Sequence, residues 1–317
     1  MSYPWPLQPF DQQHPVRAFF GDPRIGKPLG GSSFHNGIDI SAPNGTPVYA
    51  VAPGRVDLGT PQAVAVVLPG GGEHGYQHIT PAVRQGEAVV QGQLLGHILP
   101  PGPGADWQHV HFLECTAGGT YWNPFREGAL TPFAKTTVPS VDRIVAERGG
   151  TALDPHNLAG VVDLIAEAHD ETPIPPLNPY QKAPVVPALV EWRLVADAGG
   201  VVPAWTTAAD FRTSHALTTF IVSQIQADAS AAYGVKAGAT SDIGWENVYA
   251  PLTTQNNCMN PAAPNPILEP GLYRFKLASA FDTSAHPDGS YQIEVQVTDV
   301  RGNASTGKLA IVIGNGT

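Results

Sequence analysis

A chain of 317 residues exceeds the usual size of one compact domain, so two domains are expected, each long enough to bury a core. Its 27 acidic against 17 basic side chains give a formal charge of −10, which opposes a sequence-independent grip on phosphate backbones and excludes nucleic acid as an expected partner. Hydrophobic residues make up 42%, beside 34 glycines and 32 prolines, a balance suited to short strands joined by many turns, so the fold is expected to be mainly β.

The opening Met1-Ser-Tyr-Pro-Trp-Pro6 has neither a basic n-region nor an apolar h-region. No stretch approaches the roughly 20 apolar residues that span a bilayer. Neither a signal peptide nor a transmembrane segment is therefore expected in this sequence. Trp5 to Gly31 is rich in Pro, Gly and aromatics without a period and reads as an irregular segment laid across the first domain. Val48-Tyr-Ala-Val-Ala52, Pro53-Gly54 and Arg55-Val-Asp-Leu58 then form a hairpin pattern, and Ala63 to Leu68 is a β-branched run closed by Pro69-Gly-Gly-Gly72. From Arg84 to Gly96 short apolar pieces alternate with glycine turns, a spacing that suits small barrels and folded sheets.

Between Asn123-Pro124 and about Ser140 the sequence turns polar, which places a boundary near 137: residues 1–136, with a core of about 30–126, and residues 137–317. In the second part Leu189–Val195, Gly271–Leu277, Tyr291–Val297 and Lys308–Ile313 carry strand signals, and Val161–Ala168 reads as strand or short helix. Tyr291, Ile293, Val295 and Val297 alternate with Gln292, Glu294 and Gln296, so one face is expected buried and one wet. The turn Asp299-Val-Arg-Gly-Asn303 after that strand resembles the closing hairpin of immunoglobulin- or fibronectin-like sandwiches, and Trp192 on an earlier strand fits the same picture. The stretch from Asp197 to Pro270 is too long for simple connections and is expected to hold large loops or extra strands. Cys115 and Cys258 are the only cysteines, so there is no cysteine metal site; two buried free thiols are expected, with one disulfide between the two parts as the alternative.

The chain has eleven histidines, and spacing decides which matter. Three short segments stand out: His35-Asn-Gly-Ile-Asp39, Tyr76-Gln-His78 and His109-Val-His111-Phe112. Read as a strand, the last projects His109 and His111 from one face, roughly 6.5 to 7 Å apart, while Val110 and Phe112 point into a core. One imidazole can then bind a metal while the other stands over the water at that metal. Gly37 with β-branched Ile38 and Ile40 argues against a helix in the first segment, and a bend at Gly37 brings His35 to Asp39. Together His35, Asp39 and His111 offer two nitrogens and one oxygen, the usual ligand mix of a catalytic zinc with a fourth position open. Glu114 falls on the opposite strand face and is not a candidate base.

The ordered set His35-x-Gly-x-Asp39, Gly45-Thr-Pro-Val-Tyr-Ala50, Gly54-Arg-Val56, Tyr76-x-His78, Gly92-Gln-x-Leu-Gly96 and His109-x-His111-Phe112 resembles the LytM/lysostaphin family, the M23 metallopeptidases, over roughly residues 30–126. The resemblance implies a small folded antiparallel β-sheet with a groove over the metal. It also implies Zn2+ on His35, Asp39 and His111, and His109 and His78 as the catalytic residues acting on water and carbonyl, with the general base open between the two. The implied activity is hydrolysis of peptide bonds, usually in bacterial peptidoglycan, and so an extracytoplasmic location. Where many relatives carry a Ser/Thr-containing glycine-rich stretch before His-x-His, this chain has Pro100-Pro-Gly-Pro-Gly-Ala-Asp-Trp-Gln108, a change that touches substrate preference. Tyr76, Asp106 and Trp107 are candidates for the groove border, as is His74. Two rival functions stand beside the enzyme: a catalytically silent LytM-like module that binds a cell-wall peptide or a partner, and a lipoyl-type carrier, which the lack of a lysine at a hairpin tip between Val83 and Gly96 counts against. The C-terminal sandwich is expected to position the peptidase on its substrate or on a protein partner, or equally to cap the groove until needed.

Overall fold

The computed structural model describes residues 2–26, 31–101, 108–178, 180, 181, 184–215 and 273–316. Among them every regular element is a β-strand except one 3-10 turn at Thr283–Ala285, so no helix there is long and apolar enough to cross a membrane. The fold is mainly β, with an N-terminal β-sheet domain and a C-terminal Ig-like pair of sheets.

In the N-terminal sheet Val16–Ala18, Ile38–Ser41, His109–Cys115, Glu73–Gln77, Ala63–Val67, Gly54–Asp57 and Ala88–Val89 lie side by side in that order. A second sheet holds Pro47–Tyr49, Leu94–Ile98 and Ile79–Pro81. Period-two alternation sorts the residues of the central strands: Ile38, Ile40, Val64, Val66, Tyr76, Val110 and Phe112 are all fully buried in one hydrophobic cluster. The opening segment is more regular than its composition suggests. Val16–Ala18 extends the sheet along Ile38–Ser41, and Pro23–Gly26 pairs with Gly31–Phe34. Trp5, fully buried, donates its indole N–H to the Pro132 carbonyl at 2.6 Å.

The expected hairpin over Val48–Leu58 does not form. Pro47–Tyr49 pairs with Leu94–Ile98, whereas Gly54–Asp57 pairs with Ala63–Val67 and Ala88–Val89. The chain passes between sheets because Val51 is buried there, its N–H donating to the Tyr76 hydroxyl at 2.9 Å. Gly54 permits close pairing beyond the crossing, since a Cβ would stand 2.4 Å from the Val67 carbonyl oxygen.

The C-terminal part pairs Thr151–Ala152, Ser140–Arg148, Val161–His169 and Arg274–Asp282 in one sheet and Thr206–Asp210, Leu189–Ala196, Gly289–Thr298 and Ala304–Ile313 in the other. Val161–His169 is thus a strand. The two sheets meet through Ile144, Leu164, Val190, Ile293, Val295 and Ile311 of the shared core, and Val141 fills the space that a Cβ on Gly307 would need. The alternation from Tyr291 holds, with one departure: Glu294 is buried on the polar face because Arg193 and Lys308 pair with it. Trp192 lies half-buried, its ring edge against Phe281, rather than in the centre between the sheets. In the long stretch after Asp197, Thr206–Asp210 is an extra edge strand, and Ser214–His215 returns to the N-terminal sheet to pair with Tyr121–Trp122. Cys115 is a free, buried thiol, while Cys258, Asp106, Trp107 and residues 216–272 lie outside the described residues.

Two cations tie the parts together. Arg301 donates to the carbonyls of Phe125 at 2.9 Å and Phe133 at 3.2 Å. Lys135 is buried with its Nζ 2.8 Å from Asp170 and 3.7 Å from Asp299. Burial pushes the Asp170 carboxyl up to about 6 against the opposing pull of Lys135. Between the unfolded value of about 3.9 and about 6 only the folded protein holds that proton. The stability it contributes is therefore full below about pH 3.9 and is lost as pH rises to about 6. In chemical denaturation the stability advantage of the wild type over Asp170→Asn should shrink by about 2 kcal/mol from pH 4 to 6.5; a difference constant with pH would refute the assignment.

Candidate active site

The register between two central strands builds the site. Asp39 faces His111 and Ser41 faces His109 across the Ile38–Ser41 and His109–Cys115 pair, so all four side chains share the face opposite the core. His35 reaches the same point from the loop before Ile38. Gly37 makes this possible: a Cβ there would stand 2.3 Å from the Phe112 carbonyl oxygen and 3.0 Å from the His111 ring. The His35 backbone is pinned on both sides, its N–H donating to Asp22 O at 2.7 Å and its carbonyl accepting from Gly21 N–H at 2.9 Å.

His35, Asp39 and His111 are each no more than 5% exposed. His35 Nε2 lies 3.1 Å from Asp39 Oδ1 and 2.8 Å from His111 Nδ1, and His111 Nδ1 lies 3.0 Å from that same oxygen. One donor atom from each residue falls within 4.8 Å of the others, an arrangement able to hold a metal ion. The surroundings fix one tautomer. His35 Nδ1 is 2.8 Å from the Phe19 carbonyl and must carry its proton there, which turns the Nε2 lone pair toward the Asp39 carboxylate. Two such acceptors at 3.1 Å repel unless a proton or a cation lies between them. This His/Asp/His set therefore fits zinc, whose usual ligands are imidazole nitrogen and carboxylate oxygen.

Burial alone would raise the Asp39 carboxyl, but when His35 and His109 each carry a second proton, as the metal-free site allows, their charges and the hydrogen bonds from His111 and His35 outweigh it and hold the carboxyl well below the usual carboxylate range. His109, buried, has its Nε2 at 3.7 Å from Asp39 Oδ1 and 3.2 Å from an Arg17 guanidinium nitrogen. The His78 ring centre lies 4.6 Å from that of His109 and 6.2 Å from that of His111. Burial, with His111 second, pushes the His78 imidazole down to about 3. His78 adopts φ 64° at the turn between Glu73–Gln77 and Ile79–Pro81, a left-handed conformation that carries the chain from one sheet to the other and leaves its ring beside His109.

All five histidine and aspartate residues singled out by spacing are thus in one cluster. Other candidates are not. Tyr76 is a core residue whose ring meets Phe112, and His74 stands on that same core side between Tyr3 and Phe112, where burial pushes it down to about 4. Period-two alternation from Gln77, which pairs with His111, places both away from the site. Glu114, on the core face, is bound by Arg126 at 2.7 Å and accepts from the Tyr3 hydroxyl. Spacing gave no sign of Arg17, Ser41 or Tyr180. Ser41 accepts the Leu177 N–H at 3.1 Å, and the Tyr180 ring lies against the Arg17 guanidinium, 4.4 Å from its centre. The one available signal for Arg17 was a charge within the apolar run Val16-Arg-Ala-Phe-Phe20.

The model of Peptidase family M23 matches residues 33–124, the segment that contains every one of these histidines. The chain carries an M23-family metallopeptidase-like domain. Among solved structures, this M23 domain is similar to a variant of the catalytic domain of the prophage-encoded M23 protein EnpA from Enterococcus faecalis, at 30% identity over 30% of this chain and 79% of that one, with a TM-score of 0.26. The catalytic domain of lysostaphin from Staphylococcus simulans matches at 22% identity over 26% of this chain and 67% of that one, TM-score 0.23. A zinc-containing peptidase from Vibrio cholerae matches at 22% over 37% of each chain, TM-score 0.30. No curated protein matches the chain.

Two measurements test the M23 centre. Zinc at about a hundred times its dissociation constant should stabilise the wild type by about 2.7 kcal/mol in thermal melts, and this gain should vanish in His111→Ala; an equal gain in the variant would place the metal elsewhere. Gly37→Ala should cost about 1–3 kcal/mol through overpacking against the Phe112 carbonyl and should weaken zinc binding, both read from the same melts.

Proposed function

We propose that this protein is a zinc-dependent endopeptidase of the LytM/lysostaphin type that hydrolyses peptide bonds in bacterial peptidoglycan, working outside the cytoplasmic membrane. The observation that carries the reading is the convergence of His35, Asp39 and His111 with two further imidazoles, His109 and His78, beside them. A closed structural site would take one of these two imidazoles as its fourth ligand and leave the other without a role. In this reading residues 1–136 carry the chemistry and 137–317 present the substrate or a partner protein.

His35, Asp39 and His111 would hold the zinc, which would supply Lewis acidity at that spot, enough to bring the pKa of a water there to about 7. His109, whose Nε2 faces Asp39, takes the proton from the attacking water as its oxygen bonds to the carbonyl carbon. The neutral His78 ring offers one N–H to the carbonyl oxygen as charge develops on it. When the C–N bond breaks, His109 returns the proton to the leaving nitrogen, so one amide and one water give one carboxylate and one amine.

The test is release of new amino groups from purified peptidoglycan sacculi by the zinc-loaded protein, run beside His109→Ala. The wild type should release them and the variant should be slower by about 10² to 10⁴. No release from either protein, with zinc bound, would replace the enzyme by a silent binding module.

A further inference from the structure

We infer that Arg17 is a positioning residue that fixes the tautomer of His109; the inference rests on the reading of His109 as the proton acceptor. Its geometry begins with a bulge. Val16 pairs with Ile40 but Ala18 pairs with Asp39, so two steps on one strand match a single step on the other and Arg17 is the extra residue. Bulges re-aim side chains beside active sites. Here the bulge leaves a buried guanidinium 3.2 Å from His109 Nε2 and its Nε 4.0 Å from Asp39 Oδ2, with the Tyr180 ring against it.

The chemistry follows from what each group can do. A guanidinium only donates, so a contact to His109 Nε2 requires that nitrogen to accept and, in the neutral ring, puts the proton on Nδ1. The Asp39 carboxylate pulls the other way. Its Oδ1, 3.7 Å from the same Nε2, only accepts and favours a proton on Nε2. A ring protonated there has no lone pair for the proton of water. Of the two described contacts at Nε2 the one from Arg17 is the shorter, and it favours Nε2 as the acceptor that catalysis uses. Incoming water competes with the guanidinium for that lone pair, and Asp39 Oδ2 stands ready as the next acceptor for Arg17.

The test is 15N NMR of the histidine side chains in the full-length, metal-free protein, with the His109 signals assigned by their loss in His109→Ala. The wild type should show His109 with the proton on Nδ1; a proton on Nε2 overturns the inference without any variant. Arg17→Met should move the proton to Nε2, and Arg17→Lys, whose ammonium also only donates, should retain the wild-type form. An unchanged tautomer in Arg17→Met also overturns the inference. With zinc and a cleavable peptide, Arg17→Met should lower kcat by about 10² while KM changes less than about threefold, with partial recovery in Arg17→Lys, since misplacing the proton on a catalytic imidazole costs up to about 10⁴. A fall confined to KM would contradict positioning. Should the wild type cleave no peptide, the proposed function fails while the NMR result still decides this inference.

Discussion

The site depends on one antiparallel register, in which His111 stands opposite Asp39 and His109 opposite Ser41. A slip of one residue would turn Ile38, Ile40, Val110 and Phe112 to the site and bury the imidazoles and the carboxylate in the core. Those four apolar side chains are fully buried, so the hydrophobic effect that builds the sheet also holds the ligands in register. Gly37 adds the one backbone allowance the arrangement needs, letting the chain pass close enough to Phe112 for His35 to join the pair.

That construction gathers His35, Asp39, His109, His111 and Arg17 where water is scarce. Polar groups in such a place must satisfy one another or be satisfied by a ligand. His35 is turned by Phe19, His109 faces Arg17, and the lone pairs that remain point inward to a single spot. Positive charge on the neighbouring imidazoles, and the hydrogen bonds they then donate, keep Asp39 ionised against its burial. A cation at that spot relieves the repulsion that the register imposes.

Spacing made the His/Asp/His cluster legible, because His-x-His on a strand and His-x-Gly-x-Asp around a bend are local patterns whose geometry needs only period two and one glycine. The alternation from Tyr291 was legible for the same reason. What escaped were features set by partners distant in sequence. Val48–Leu58 has the composition of a hairpin, yet its halves join different sheets, since their partners Leu94–Ile98 and Ala63–Val67 lie elsewhere in the chain. His74 and Tyr76 sit beside a catalytic-looking histidine but face the core, a matter of parity that only the pairing with His109–Cys115 reveals. Arg17 carried one faint signal, a charge within an apolar run, but its place at the site is set by a bulge, which no spacing rule predicts. The contacts of Leu177 and Tyr180 at the site come from the stretch between two sandwich strands, partners more than a hundred residues away that no local spacing reveals.

The proposed chemistry requires that His35, Asp39 and His111 hold zinc as a single centre. Crystals of the zinc-loaded full-length protein, with diffraction measured on both sides of the zinc absorption edge, test it most directly. One anomalous peak bonded to His35 Nε2, an Asp39 carboxylate oxygen and His111 Nδ1 is the predicted result. A peak held by other residues, or a loaded protein in which these three side chains turn away from one another, would contradict it.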